Sequence, residues 1–271
     1  MERFSRIQSF LGEEGFQLLR QSRITIVGIG AVGGHVAEAL ARSGIKQLRL
    51  VDFDTIQPSN INRQIMALET TLGRPKVEVA QERIATINPA CQVEALQLFA
   101  TDDTLRQILA PQPDILIDAI DSMNPKVQLL SAAHRQGIPI ISSMGAALRS
   151  DPTRIRVADL MDTKNCPLAR RLRQRLRRSG IGRGISCVFS TEPVIYHYQD
   201  PEELQPAMNG PVSPAPGIAP AEGRPQAMGI PLAELGRQRR SLGSLPTLTG
   251  IFGLIIANEV ILRLSGKRLQ E

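Results

Sequence analysis

The sequence predicts a doubly wound α/β fold, a mostly parallel sheet with helices on both faces, followed by an apolar helix near the C-terminal end. Three observations predict it. Residues 23–52 read as strand, glycine turn, helix, strand; strand-like and helix-like segments keep alternating to about residue 160; and residues 250–264 form a strongly apolar run closed by Gly266.

The first strand is Arg23-Ile-Thr-Ile-Val-Gly28, a β-branched stretch ending in glycine. Residues 36–43 follow with Ala and Leu at helical spacing, and residues 47–52 give the next strand, so the βαβ unit has the expected size of ~30 residues. A helix is expected over 76–87, stopped by Asn88-Pro89, then a strand over 92–98 and a helix over 102–109. Residues 114–120 and 138–144 read as buried strands flanking a helix over 125–136. This alternation is Rossmann-like.

The reading divides the chain into five stretches: an N-terminal helical segment (1–22), the Rossmann-like domain (23–160), a basic helix with a following strand (161–198), a loop (199–246) and the C-terminal helix (247–271). The loop assignment rests on composition, since nine prolines and six glycines between positions 199 and 246 leave no room for a regular element. The last helix could be taken for a membrane span. Asn258 and Glu259 lie inside it, and an acidic side chain at mid-span costs roughly 2.5 kcal/mol or more, so a helix packed on the core is expected, with peripheral membrane association left open.

The formal charge of +6 favours anionic partners. It is concentrated in residues 164–178, where Lys164, Arg170, Arg171, Arg173, Arg175, Arg177 and Arg178 stand without an acid. The N-terminal segment carries Arg3, Arg6, Glu13 and Glu14 and lacks the apolar run of a secretory signal, so a cytoplasmic location is expected. Cys91, Cys166 and Cys187 are odd in number and widely spaced, which predicts free thiols.

Gly28-Ile-Gly30-Ala-Val-Gly33 is a GxGxxG turn placed after a strand and opening a helix, where backbone N–H groups can hold a phosphate. Gly28 suits the tight turn and Gly30 the close approach. Asp52, at the tip of the second strand, is placed to accept hydrogen bonds from ribose hydroxyls. Those residues alone fit an ordinary NAD site equally well. The following motifs add what hydride transfer does not need: Asp54, then Asn60, Arg63 and Lys76 as phosphate partners, then Asp121 as a magnesium ligand on a triphosphate.

The order GIGAVG, VDFD, SNINRQ, GRPK and DAIDS resembles the ubiquitin-activating superfamily, whose bacterial members adenylate sulfur-carrier proteins. The resemblance implies ATP and Mg²⁺ as cofactors, with Asp52 on the ribose, Asn60, Arg63 and Lys76 on the phosphates and Asp121 on the metal. Arg3-Phe-Ser-Arg6 matches an RxxR element whose second arginine, here Arg6, reaches the neighbouring subunit's ATP site, which implies a homodimer.

Two features separate the branches. The paired CxxC motifs of carrier-activating enzymes are missing. Residues 159–176 and the strand SCVFSTE (186–192) closely resemble the bacterial tRNA threonylcarbamoyladenosine dehydratase family. That resemblance implies ATP-dependent cyclisation of a modified adenosine beside the anticodon of tRNA; activation of a ubiquitin-like carrier is the alternative, and a sulfurtransferase-system partner is possible. With Leu168, Leu172 and Leu176 on one edge packing down, the six arginines 170, 171, 173, 175, 177 and 178 are expected to face outward onto RNA. An internal ureido nucleophile makes an enzyme cysteine unnecessary, and Cys187 reads as a core thiol.

Overall fold

Strand β1 (Arg23–Val27) is the third strand of a seven-stranded sheet in the order β3-β2-β1-β4-β5-β7-β6. The other strands are β2 (Gln47–Val51), β3 (Gln92–Leu96), β4 (Ile115–Asp118), β5 (Ile140–Ser143), β6 (Ile155–Asp159) and β7 (Ile185–Ser190). All neighbours pair in parallel except β6, which runs antiparallel to β7 at the edge. This computed structural model describes residues 2–194 and 242–267. The predicted loop over 199–246 lies outside the described residues except for its last five.

The helices are α1 (Ser5–Gln21), α2 (Gly33–Arg42), α3 (Lys76–Ile87), α4 (Asp102–Leu109), α5 (Met123–Arg135), α6 (Pro167–Arg178) and α7 (Pro246–Leu264). Two apolar clusters cover the sheet's two faces. Leu19 of α1, Val36 and Leu40 of α2, Ile84 of α3 and Phe252, Ile256 and Val260 of α7 pack with one face. Leu105 and Ile108 of α4, Leu129 and Leu130 of α5, and Leu172 and Leu176 of α6 pack with the other. Central strands are therefore buried on both sides, which is why RITIV and ILID read as continuous apolar runs.

The chain winds out from β1 to β3, returns to the far side of β1 at β4 and winds on to β7. Strand direction out of β1 thus switches between β2 and β4, and the crevice at the carboxyl ends of β1 and β4 is where such folds place ligands.

Several element boundaries differ from expectation. β4 ends at Asp118 rather than residue 120, because the Asp118 carboxylate accepts the Ile120 N–H at 3.1 Å and turns the chain. α7 starts four residues before Gly250, at Pro246, a residue suited to a first helical turn, and ends before Gly266 at φ 68°. The sheet also continues past residue 160, since β7 belongs to it, and the edge strand β6 has no counterpart in the sequence reading.

α7 is long and apolar enough to cross a membrane. Here its buried side chains Leu248, Phe252, Ile256, Ala257 and Val260 belong to the core cluster beside α2. The two helices approach closely at Gly253, where an added Cβ would stand 2.6 Å from the Val32 carbonyl oxygen.

Candidate functional site

Three glycines in one turn have three separate reasons. Gly28 takes φ 95° and donates its N–H to the Val51 carbonyl at 2.8 Å; a Cβ there would lie 2.7 Å from the Ala119 oxygen. At Gly33 a Cβ would meet the Gly28 oxygen at 1.8 Å. Around Gly30, by contrast, the nearest atom to an added Cβ is Gln64 Nε2 at 3.9 Å, so this glycine keeps an open face rather than a close packing contact. That open face adjoins the N-terminus of α2, where backbone N–H groups and the helix dipole favour an anion.

Asp52 ties the turn to β2. Its Oδ2 accepts the Ile29 N–H at 2.6 Å and its Oδ1 the Asp54 N–H at 2.9 Å. Burial pushes this carboxyl above its ordinary value, against the pull of Lys76 and the two N–H donors. The raised value gives opposite signs for folding and binding. Folding alone favours the protonated group, so its contribution to stability is largest below the unfolded value near ~4 and declines as pH rises through the raised folded value. In the ribose-binding role that the resemblance implies for Asp52, the hydroxyls would need the anion as acceptor. ATP affinity is therefore expected to fall as pH is lowered through the raised value of Asp52, and a pH series of nucleotide titrations on wild type and D52N should show that dependence only in the wild type.

The predicted phosphate partners line the segment between β2 and α3. Asn60 is buried in a short turn, where its Oδ1 accepts the Gln57 N–H at 3.0 Å, leaving the amide nitrogen as that side chain's donor. Arg63 is half-buried, and its Nη1 donates to the Ser59 carbonyl and to Asn62 Oδ1, both at 2.9 Å. Lys76, at the start of α3, is 4% exposed and its Nζ lies 2.7 Å from Asp54 Oδ2. Its charge is thus already shared with a carboxylate that the sequence reading placed beside the nucleotide in its own right.

Asp121 is exposed just past β4, and Ser122 Oγ lies 3.4 Å from its Oδ1. Among the described residues no three His, Cys, Asp or Glu side chains gather to hold a metal. A magnesium ion needs only one or two carboxylates when phosphates and waters complete its shell, so the Asp121 carboxylate suits it.

Beneath Asp121 is an arrangement the sequence reading missed. Lys126 of α5 and Asp118 of β4 form an ion pair at 2.7 Å, both side chains fully buried. Lys126 Nζ also donates to the carbonyls of Ile120 and Ser143, each at 2.9 Å, and Ser142 Oγ donates to Asp118 at 2.6 Å. The turn carrying Asp121 is thereby fixed to α5 and to the end of β5.

Helix α6 buries Ala169, Leu172 and Leu176, while Leu168 is only partly covered. Arg170, Arg171, Arg175, Arg177 and Arg178 are exposed, with Arg175 reaching Asn124 Oδ1. Arg173 departs from the expected outward row. Its Nη1 donates to the Thr163 carbonyl at 3.0 Å, to Thr163 Oγ1 and toward the Leu160 carbonyl at 3.4 Å. The guanidinium thus satisfies the Thr163 carbonyl in the stretch that leads into α6. Arg6 is exposed on α1, whereas Arg3 donates to the Ile87 carbonyl at 3.1 Å on its own chain. All three cysteines are free, and burial pushes the Cys91 and Cys187 thiols up to about 12, which removes both from thiolate chemistry at neutral pH.

Comparison with known proteins shows the family. A model of the ThiF family matches residues 3–271. The chain belongs to the ThiF family. Among ThiF-family relatives, the tRNA threonylcarbamoyladenosine dehydratase of Bacillus subtilis is 42% identical over 200 residues, 74% of this chain and 79% of that protein. Crystal structures of Escherichia coli tRNA N6-threonylcarbamoyladenosine dehydratase in complex with AMP and with ATP share 34% identity with it. Each gives a TM-score of 0.79 over 98% of this chain and 95% of that one. The molybdopterin-synthase adenylyltransferase of Salmonella typhimurium is 34% identical over 138 residues, only 51% of this chain.

Proposed function

We propose that this protein is an ATP-dependent tRNA threonylcarbamoyladenosine dehydratase. The observation that carries the reading is that the nucleotide cradle and the start of the basic helix share one edge of the sheet. Asn165, just before α6, donates its Nδ2 to the Thr191 carbonyl past the end of β7, 3.0 Å away, at the same carboxyl edge as the glycine turn. Similarity to the dehydratases over nearly the whole chain, against half for the carrier adenylyltransferase, supports the same choice.

In this reading the threonyl carboxylate of the modified adenosine attacks the α-phosphorus of ATP and pyrophosphate leaves. Charge grows on the phosphate oxygens, where Arg63, Lys76 and the Asn60 amide are the fixed donors. Asp121 would hold Mg²⁺, whose chemistry is to neutralise the departing pyrophosphate. The ureido nitrogen then attacks the activated carbonyl, closing a five-membered ring and releasing AMP. Because that nucleophile is tethered to its target, its high effective molarity replaces a covalent enzyme intermediate.

We further place the protein in the cytoplasm as a homodimer in which Arg6 serves the neighbouring ATP site. A sulfurtransferase-system partner and a peripheral membrane contact are compatible with this arrangement. The deciding experiment is mass spectrometry of nucleosides from threonylcarbamoylated tRNA incubated with the protein and ATP. Loss of one water from the modified adenosine is expected. Turnover with a carrier peptide ending in Gly-Gly and none with tRNA would defeat the reading.

Arginines of α6 supply a separate test. Changing Arg170, Arg171 and Arg177 to Gln is expected to weaken tRNA binding and to flatten the slope of log K against log salt by roughly 0.7–0.9 for each phosphate no longer neutralised. ATP affinity should not move. R173Q, whose guanidinium is spent on Thr163, is expected to leave that slope unchanged.

A further inference from the structure

Arg149, in the loop from β5 to β6, is 3% exposed, yet its Nε and Nη1 have no hydrogen-bond partner among the described residues. A guanidinium is always charged and carries five N–H donors, so leaving two of its nitrogens buried and unmatched is costly to the fold and calls for an explanation. Its Nη2 donates to the Asn165 carbonyl at 3.0 Å, which brings the group to the N-terminus of α6, a helix of 12 residues.

That helix end is itself short of acceptors. Pro167 has no N–H, the Ala169 N–H meets only the Cys166 sulfur at 3.5 Å, and the first turn holds no acid. The Cys166 sulfur, a weak acceptor beside the guanidinium, and the Glu192 carboxylate both favour its charge. The Glu192 carboxylate, however, is turned to the loop backbone. It accepts the Ser150 N–H at 2.9 Å, the Ser150 hydroxyl at 2.8 Å and the Asp151 N–H at 3.0 Å.

Backbone strain marks the same place. Leu148 (φ 59°) and Asn165 (φ 55°) are the two non-glycine residues with positive φ among the described residues. One precedes Arg149 and the other accepts from it; both are exposed. A leucine in the left-handed region is uncommon, and such residues concentrate where a ligand is clamped.

We propose that Arg149 and the N-terminus of α6 form an oxyanion site for the RNA substrate, separate from the cradle that holds the nucleotide's phosphates. It lies at the carboxyl edge of β5 and β7, and with strands ~4.8 Å apart β7 stands about 10 Å from β4. An oxyanion there sits beside the nucleotide rather than on it. The ligand's identity rests on the dehydratase reading, in which two groups carry this chemistry: the threonyl carboxylate before its activation, and a phosphodiester of the anticodon loop.

Binding of threonylcarbamoylated and unmodified tRNA to wild type, R149M and R149K distinguishes them. If the site takes the carboxylate, R149M weakens the modified tRNA about tenfold, leaves the unmodified tRNA alone and erases the difference between the two. If it takes a phosphodiester, both weaken alike. In either case R149K, which keeps the charge, recovers most of the loss, and should R149M fail to fold, R149Q replaces it. Wild-type affinities for both tRNAs together with unchanged kcat/KM in R149M would overturn the proposal.

A second arm does not depend on the dehydratase reading. Inorganic phosphate titrated into ATP-saturated protein is expected to raise the Tm of wild type and not that of R149M. Equal shifts in the two, or none in wild type, would remove the oxyanion site even if tRNA turnover were normal. Normal phosphate behaviour with no tRNA turnover would instead unseat only the dehydratase reading.

Discussion

Replacing Arg63 with alanine is expected to lower kcat by about 10²–10³, with a much smaller change in ATP affinity, because in the proposed reaction the guanidinium would meet the charge that develops as the α-phosphorus is attacked. Arg63 is better suited to this than Lys76. Among the described residues it bonds to a carbonyl and an amide oxygen but to no carboxylate, so its full charge remains available, whereas the Lys76 ammonium is shared with Asp54. Those two bonds also preorganise the fork, which then needs little reorganisation when the triphosphate arrives. Substitution removes only bonds within its own turn and should hardly alter Tm. R63K would keep a charge but lose the planar fork, so an intermediate rate is expected. Single-turnover AMP release with modified tRNA, read beside thermal denaturation, checks both. An unchanged rate in R63A would place the phosphates elsewhere.

Residues whose type answers one physical demand were the legible part of this molecule. A GxGxxG turn between strand and helix has few alternatives when a Cβ at Gly28 or Gly33 would strike backbone. Helices α3 and α4 were readable to the residue, because Asn88-Pro89 stops one, and Asp102 and Asp103 favour the other's first turn. β6 was not readable. Its sequence, Arg-Val-Ala-Asp after Ile155, is an exposed edge pattern, and the strand that completes it lies beyond an intervening helix. Lys126 and Arg149 were missed, and Arg173 was expected to face outward, for one common reason. A lysine or arginine in sequence reads as solvated, and only the tertiary arrangement of carbonyls and carboxylates around each reveals that it is turned inward. Residues set in a motif could thus be singled out from their types, whereas buried charges could not.

Lys126 gives the second large effect. Its three ammonium protons are fully used by Asp118 and by the carbonyls of Ile120 and Ser143, inside a part of the core with no solvent access. Breaking such a pair leaves the partner's charge uncompensated, so K126M is expected to destabilise the fold by about 3–5 kcal/mol, a fall in Tm of roughly 10 °C. The sign of the electrostatic argument is tested by the double variant D118N/K126M. With both charges gone, no buried ion lacks a partner, and the double variant should be more stable than K126M alone. A double variant no better than the single one would mean that the carbonyl bonds, not the ion pair, carry the stability. Function provides the remaining check. Ile120 immediately precedes Asp121, so with Asp121 in its proposed role as magnesium ligand, a double variant that folds but no longer pins the Ile120 carbonyl should require more Mg²⁺ for half-maximal turnover, while its saturating rate falls less than that of R63A.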